Sequence, residues 1–292
     1  MSGAPETPAA APEVDADVVR YARDGAVAIV TMNRPQYRNA QNARMTLALD
    51  AAFTRAMQDD EVRVVILAGE GKHFSAGHDI GTPGRDIHRD FPRVATQFWN
   101  HEGKAGSENI YVREQELYLG MCRRWRELPK PTIASIQGAC IAGGLMLAWA
   151  CDLIIAADDA FFADPVVKMG IPGVEYFAHP FAMSPRLAKE FLFLGEKIDA
   201  ARAREIGMVH RVVARDALAA ETLALARRIG EMPRFALALT KKAVNQAEDR
   251  MGLRDSMDAA YGLHQLAHAH NSLTSEDHLA GQDAKSMAKG LK

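Results

Sequence analysis

Through the first half of the chain, short apolar segments of strand character alternate with segments of helical period, and few folds accommodate that alternation. Ala26 to Met32 reads as a strand, bounded by Asp24-Gly25 and by Asn33-Arg34-Pro35. From Asn42 the period changes. Met45, Leu49, Phe53 and Ala56 recur at helical spacing and leave Arg44 and Arg55 towards water. Arg63 to Ala68 is a second strand around Val64-Val65-Ile66, ended by Gly69-Glu70-Gly71. Thr132 to Gln137, Cys151 to Ala157 and Ala160 to Phe162 continue the series. Strands alternating with helices place the chain in the α/β class. Periodicity does not say how the strands wind.

The second half reads as helical over Ser184 to Leu194, Asp199 to Ile206, Asp216 to Ile229 and Arg234 to Ala247. Asp199 serves as an N-cap and Gly207 as a stop. A last amphipathic helix is expected from Ser275 to near Lys289. Gly81 to about Val112 is polar, contains glycine and carries scattered aromatics, so it reads as a lid or partly ordered insert. Residues 1–14, rich in Ala and Pro, are expected to be a disordered tail. The expected organisation is a core over 15–205 and a helical region over 206–292.

With 292 residues, 48% of them hydrophobic, the chain can bury a sizeable core. A formal net charge of -2 gives no bulk electrostatic reason to bind nucleic acid or an anionic membrane. The apolar stretch Ile141 to Ala150 is too short to span a bilayer. Three cysteines without metal or CxxC spacing suit a reducing compartment, so a cytoplasmic protein is expected.

Two stretches carry chemistry. His73-Phe-Ser-Ala-Gly-His-Asp79 follows one strand, and Gly138-Ala-Cys-Ile-Ala-Gly143-Gly144 follows another and leads into a helix. Small residues at a strand-to-helix turn let backbone approach a ligand closely, and N–H groups at the helix start face outward. Two such turns facing each other would give one oxygen two donors, which is an oxyanion hole. A plain structural turn is the alternative at each.

Taken together, these motifs resemble the enoyl-CoA hydratase/isomerase, or crotonase, superfamily over nearly everything from Ala26 onward. Asn33-Arg-Pro35 with Asn39-Ala40, Phe74 to Asp79, Gly138 to Gly144 with Cys151-Asp152, Phe162 to Gly173, Leu194 to Gly207 and Leu239 to Asn245 match its landmarks in order. The resemblance implies a wound ββα spiral core with a C-terminal helical trimerisation region, assembled as a homotrimer or a hexamer made of paired trimers. It implies an acyl-CoA substrate whose thioester oxygen sits between the backbone N–H groups of His78 and Gly143. Coenzyme A would enter as part of the substrate, with no separate cofactor and no metal.

The departures matter as much. Standard hydratases carry one glutamate three residues after the second oxyanion glycine, where this chain has Met146. They carry the other just after the proline of a Phe-Gly-x-Pro-Glu element, where Phe162-Ala-Asp-Pro-Val166 has Val166. Neither side chain exchanges protons, so ordinary hydration loses both of its carboxylates. The turn after Gly170 is also one residue shorter than the usual pattern.

Glu175 lies where the superfamily places active-site groups and is the first choice for a single acid/base, with a pKa expected to be raised in an apolar pocket. The alternative is a surface or trimer-contact glutamate. Tyr176 would donate to a substrate oxygen or else pack at an interface. His179 reads as structural, and Asp164 before Pro165 as a cap or brace. Arg38 and Lys241 or Lys242 are candidates for CoA phosphates. Ala40, Ala76, Asp79 and Ile80 would frame the adenine and pantetheine, with Met146 and Val166 at the acyl group. His264 and His268 share a helix face as a metal pair would, but no carboxylate motif accompanies them.

The expected activity is therefore an isomerase, or a lyase/hydratase variant, of fatty-acid or related acyl-CoA metabolism. Two alternatives stay open. Ser75 to Ile80 resembles the corresponding loop of methylmalonyl-CoA decarboxylases, and loss of both glutamates also fits a non-catalytic acyl-CoA-binding protein.

Overall fold

The computed structural model describes residues 12–81, 97–275, 277–280, 282, 285 and 287. The first strands build a sheet whose two faces are both covered. β1 (Val19–Asp24) pairs antiparallel with β2 (Val27–Met32). β3 (Val64–Gly69), β4 (Thr132–Ile136), β6 (Leu153–Ala157) and β9 (Arg211–Val213) follow in parallel, giving the order β1-β2-β3-β4-β6-β9. A smaller sheet has the order β5-β7-β8, from Ala139–Ile141, Phe161–Ala163 and Ile198–Asp199. The chain thus adds a strand to the large sheet, one to the small sheet, then a helix, as in β4-β5-α4 (α4, Gly143–Trp149). That repeat is the ββα spiral.

Side-chain alternation explains why the strands read as unbroken apolar runs. Val64 and Ile66 of β3 face a cluster completed by Leu218 and Ala226 of α8 (Leu218–Gly230). Val65 and Leu67 face the main core. There they meet α1 (Ala43–Gln58), which buries Met45, Leu49, Phe53 and Ala56 and exposes Arg44 and Arg55. Asn42 caps α1 by accepting from the Met45 amide at 2.9 Å.

The later helices are α5 (His179–Ala182), α6 (Pro185–Leu194), α7 (Ala200–Glu205), α9 (Arg234–Arg250) and α10 (Leu253–Ser275). Ser184 caps α6 and Asp199 caps α7. Of the segment read as an insert, 82–96 lies outside the described residues. Its end, however, is regular: α2 (Gly106–Glu114) runs through a wider π-type turn, Gln115–Gly120, into α3 (Met121–Arg126). The segments read as a disordered tail (1–14) and as a last helix from Ser275 fall mostly outside the described residues. Among those described, no helix is long and apolar enough to cross a membrane.

Candidate active site

The loop after β3 is bound tightly to the start of β5. The Ser75 amide donates to Ala139 O at 3.0 Å, and the Ile141 amide donates to Ser75 O at 3.0 Å. The Ser75 hydroxyl donates to Asn39 O at 2.8 Å and accepts from the Gln41 amide nitrogen at 3.0 Å. Gly77 sits at φ +90°, and a Cβ there would stand 2.8 Å from Ile141 O and 3.1 Å from Gly143 N. The two glycine-containing turns therefore touch only because this position has no side chain. Ala142, at φ 48°, holds a conformation costly for an L-residue immediately before α4. Among the described residues neither the His78 nor the Gly143 amide has an acceptor.

The His78 and Gly143 turns open onto a cavity walled by Ala76, His78, Ile80 and Ala142 on one side and by Val166, Met169, Ile171, Val174 and Glu175 on another. Glu175 is 4% exposed, and His78 Nε2–H donates to its Oε2 at 3.4 Å. Burial pushes the Glu175 carboxyl up. The charge and hydrogen bond of His78, with His264 behind them, outweigh it and hold the group below the usual carboxylate range. The sequence reading expected the opposite shift, because it placed Glu175 in an apolar pocket without these two imidazoles. Tyr118, brought in by the π-type turn, stacks on the His78 ring at 3.9 Å. Glu114, His264, His268 and His278 complete the wall.

Several other expectations need correction. Tyr176 is fully buried and lines a separate small cavity with Arg126 and Met257, so it cannot donate to a substrate in the Glu175 cavity. Met146 is buried in the main core and does not line the Glu175 cavity, whereas Val166 does. The Asp79 carboxylate pairs with Arg34 Nη1 at 2.9 Å, both side chains buried, and Arg34 also donates to Ala40 O. Asp79 and Ala40 thus brace the loop from behind. Lys241 Nζ lies 2.9 Å from Asp152 Oδ2 and donates to Lys130 O at 3.1 Å, so its ammonium is held by protein oxygens. Arg38 is exposed beside the loop, its carbonyl accepting the Ala76 amide at 2.9 Å. Asp164 does brace its turn, accepting from Val174 N at 3.2 Å and from His179 Nε2–H at 2.9 Å.

This ββα spiral with its helical C-terminal region is the crotonase fold, and comparison with known proteins agrees. The enoyl-CoA hydratase/isomerase family model matches residues 22–102 and 99–279. The chain is 43% identical over 265 residues to EchA13 of Mycobacterium tuberculosis, whose name assigns it provisionally as an enoyl-CoA hydratase, covering 87% of this chain and 81% of that one. It superposes on the crystal structure of a probable enoyl-CoA hydratase from Mycobacterium smegmatis with a TM-score of 0.80 at 45% identity, covering 89% and 98% of the two chains. A structure described as a monofunctional enoyl-CoA isomerase from M. smegmatis matches at 29% identity and a TM-score of 0.61, covering 80% and 94%. The chain belongs to the enoyl-CoA hydratase/isomerase family.

Proposed function

We propose that this protein moves a proton at the α-carbon of an acyl-CoA thioester, with Glu175 as its single acid/base. The enolate oxygen would be held by the His78 and Gly143 amides. The observation that carries the reading is the position of Glu175: a buried carboxyl beside His78 at the wall of the cavity onto which both turns open. A 1,3-proton shift needs one group that takes a proton from one carbon and returns it to another. Hydration needs a second group to activate water, and Met146 and Val166 stand where the resemblance puts the standard pair. The reading is therefore isomerisation, in fatty-acid or related acyl-CoA metabolism.

Val166, Met169, Ile171 and Val174 favour an apolar acyl chain. Arg38, Ala76 and Ile80 remain the candidates at the CoA end. A methylmalonyl-CoA decarboxylase reading is less well supported, because Tyr176 is turned away from the site. A homotrimer, alone or paired, is supported by Phe235, Val244, Leu263 and Leu266, large apolar side chains left exposed on α9 and α10. Turnover of 2-enoyl-, 3-enoyl- and methylmalonyl-CoA tests the reading. Conversion of the 3-enoyl to the 2-enoyl thioester is expected to be fastest. Carbon dioxide release from methylmalonyl-CoA, or binding of all three without turnover, would contradict it.

A further inference from the structure

We propose that Glu114, His264 and His268 form a binding site for one divalent cation of the zinc class, at the far wall of the same cavity. The sequence offered only the histidine pair. The fold supplies the missing carboxylate from α2, and its oxygen and the two imidazole nitrogens all lie within 4.8 Å of one another.

Both rings are fixed from behind. His264 Nδ1–H donates to Gly173 O at 2.8 Å, and His268 Nδ1–H donates to His278 O at 2.9 Å. This is how metal-binding histidines are commonly oriented. It leaves the two Nε2 lone pairs facing each other across 2.9 Å. Facing lone pairs repel, so an electrophile belongs between them, either a shared proton or a metal ion.

The carboxylate decides between the two. Glu114 Oε2 lies 3.6 Å from each Nε2. A proton on the line between the nitrogens would use this oxygen only as a counter-charge, without a bond to it. A metal would bond to it. A triangle with sides of 2.9, 3.6 and 3.6 Å has its centre about 2.0 Å from every corner, the length of Zn–N and Zn–O bonds. Gln265 donates Nε2–H to the same Oε2 at 2.6 Å and holds it in place.

All three groups are buried and all three line the cavity, so the remaining coordination positions face it. Two histidines, one carboxylate and an open position make a ligand set that suits zinc. Two buried carboxylates, Glu114 and Glu175, also share this wall, and a dication offsets their charge. Glu175 Oε1 is 3.9 Å from His264 Nε2, so the cation and the proposed base are neighbours without sharing a ligand atom.

The test is titration of the chelator-treated full-length chain with Co²⁺, read by visible absorption and calorimetry, with Zn²⁺ as competitor. Expected are one Co²⁺ per chain, d–d bands that Zn²⁺ displaces, and affinity at least roughly tenfold lower in Glu114→Gln and His268→Gln. His270→Ala, on the exposed face of α10, is expected to bind as wild type does. No bands and no heat in the wild type, or undiminished binding in folded His268→Gln, would overturn the site. If those variants fail to fold, nitrogen NMR of the wild type decides. Movement of both Nε2 signals with Zn²⁺ supports the site, and a proton shared between them that survives saturating Zn²⁺ overturns it. None of these readouts involves acyl-CoA, so their failure leaves the proposed isomerisation standing, and its failure leaves them standing.

Discussion

Replacing Asp79 with asparagine isolates the contribution of the pair behind the first turn. Arg34 and Asp79 meet at 2.9 Å with side chains 8% and 4% exposed. Removing the negative partner leaves a guanidinium that water cannot reach. Uncompensated burial of that kind costs about 3–5 kcal/mol. At about 1.4 kcal/mol per factor of ten, the unfolding equilibrium shifts by two to four decades. A chain of this size loses roughly 2–4 °C of Tm per kcal/mol, so a drop of about 6–20 °C is expected. Urea unfolding at fixed chain concentration measures it, since assembly would otherwise contribute. Acyl-CoA affinity of the folded variant should fall only as far as the His78 turn loosens. A stability loss under about 1 kcal/mol with a large loss of affinity would refute the argument. It would return Asp79 to the ligand-contacting role first read from the sequence.

His78→Asn is expected to move the acid limb of activity to higher pH. The base acts as a carboxylate, and His78 is what holds that carboxylate down against burial. Without the imidazole, burial prevails, the folded-state pKa rises, and the ionised form is lost sooner as pH falls. A pH–rate profile checks the direction, and an unmoved limb contradicts it. Lys241→Met should lower stability by about 1–3 kcal/mol, because Lys130 O and Asp152 lose a buried donor. Its acyl-CoA affinity, measured by calorimetry, should stay unchanged, and a selective loss of affinity would restore a CoA role for the lysine.

The α/β core was legible because its strands obey simple rules. β2, β3, β4 and β6 are largely β-branched and apolar runs, as strands buried on both faces are, and glycine or proline follows within three residues of the first three. α6 and α7 were legible from Ser184 and Asp199, whose caps the sequence displays. β1 was not, because Arg20, Arg23 and Asp24 give an edge strand a polar reading. α10 was read as helix only at His264 and His268, for a related reason. Its buried stripe runs through Leu253, Met257 and Tyr261 into His264, Gln265, His268 and Asn271, so its inner face is polar where it meets the cavity. The two turns and Glu175 were singled out through motif and order. Glu114 and Tyr118 carry no such signal, since Glu114 reaches the site from the end of α2 and Tyr118 from the π-type turn that follows it. The misreading of Tyr176 came from treating neighbours in sequence as neighbours in the site. At that bend successive side chains point into different cavities.

The claim that Glu175 is the single acid/base is tested most directly by exchange of the α-proton of a 3-enoyl-CoA in heavy water, followed by mass spectrometry, in wild type and Glu175→Gln. The substitution keeps the side chain's shape and removes its basicity. Loss of a general base predicts a fall of about 10²–10⁴ in exchange rate, with acyl-CoA binding retained. Exchange at the wild-type rate in Glu175→Gln would remove Glu175 from the chemistry and contradict the account.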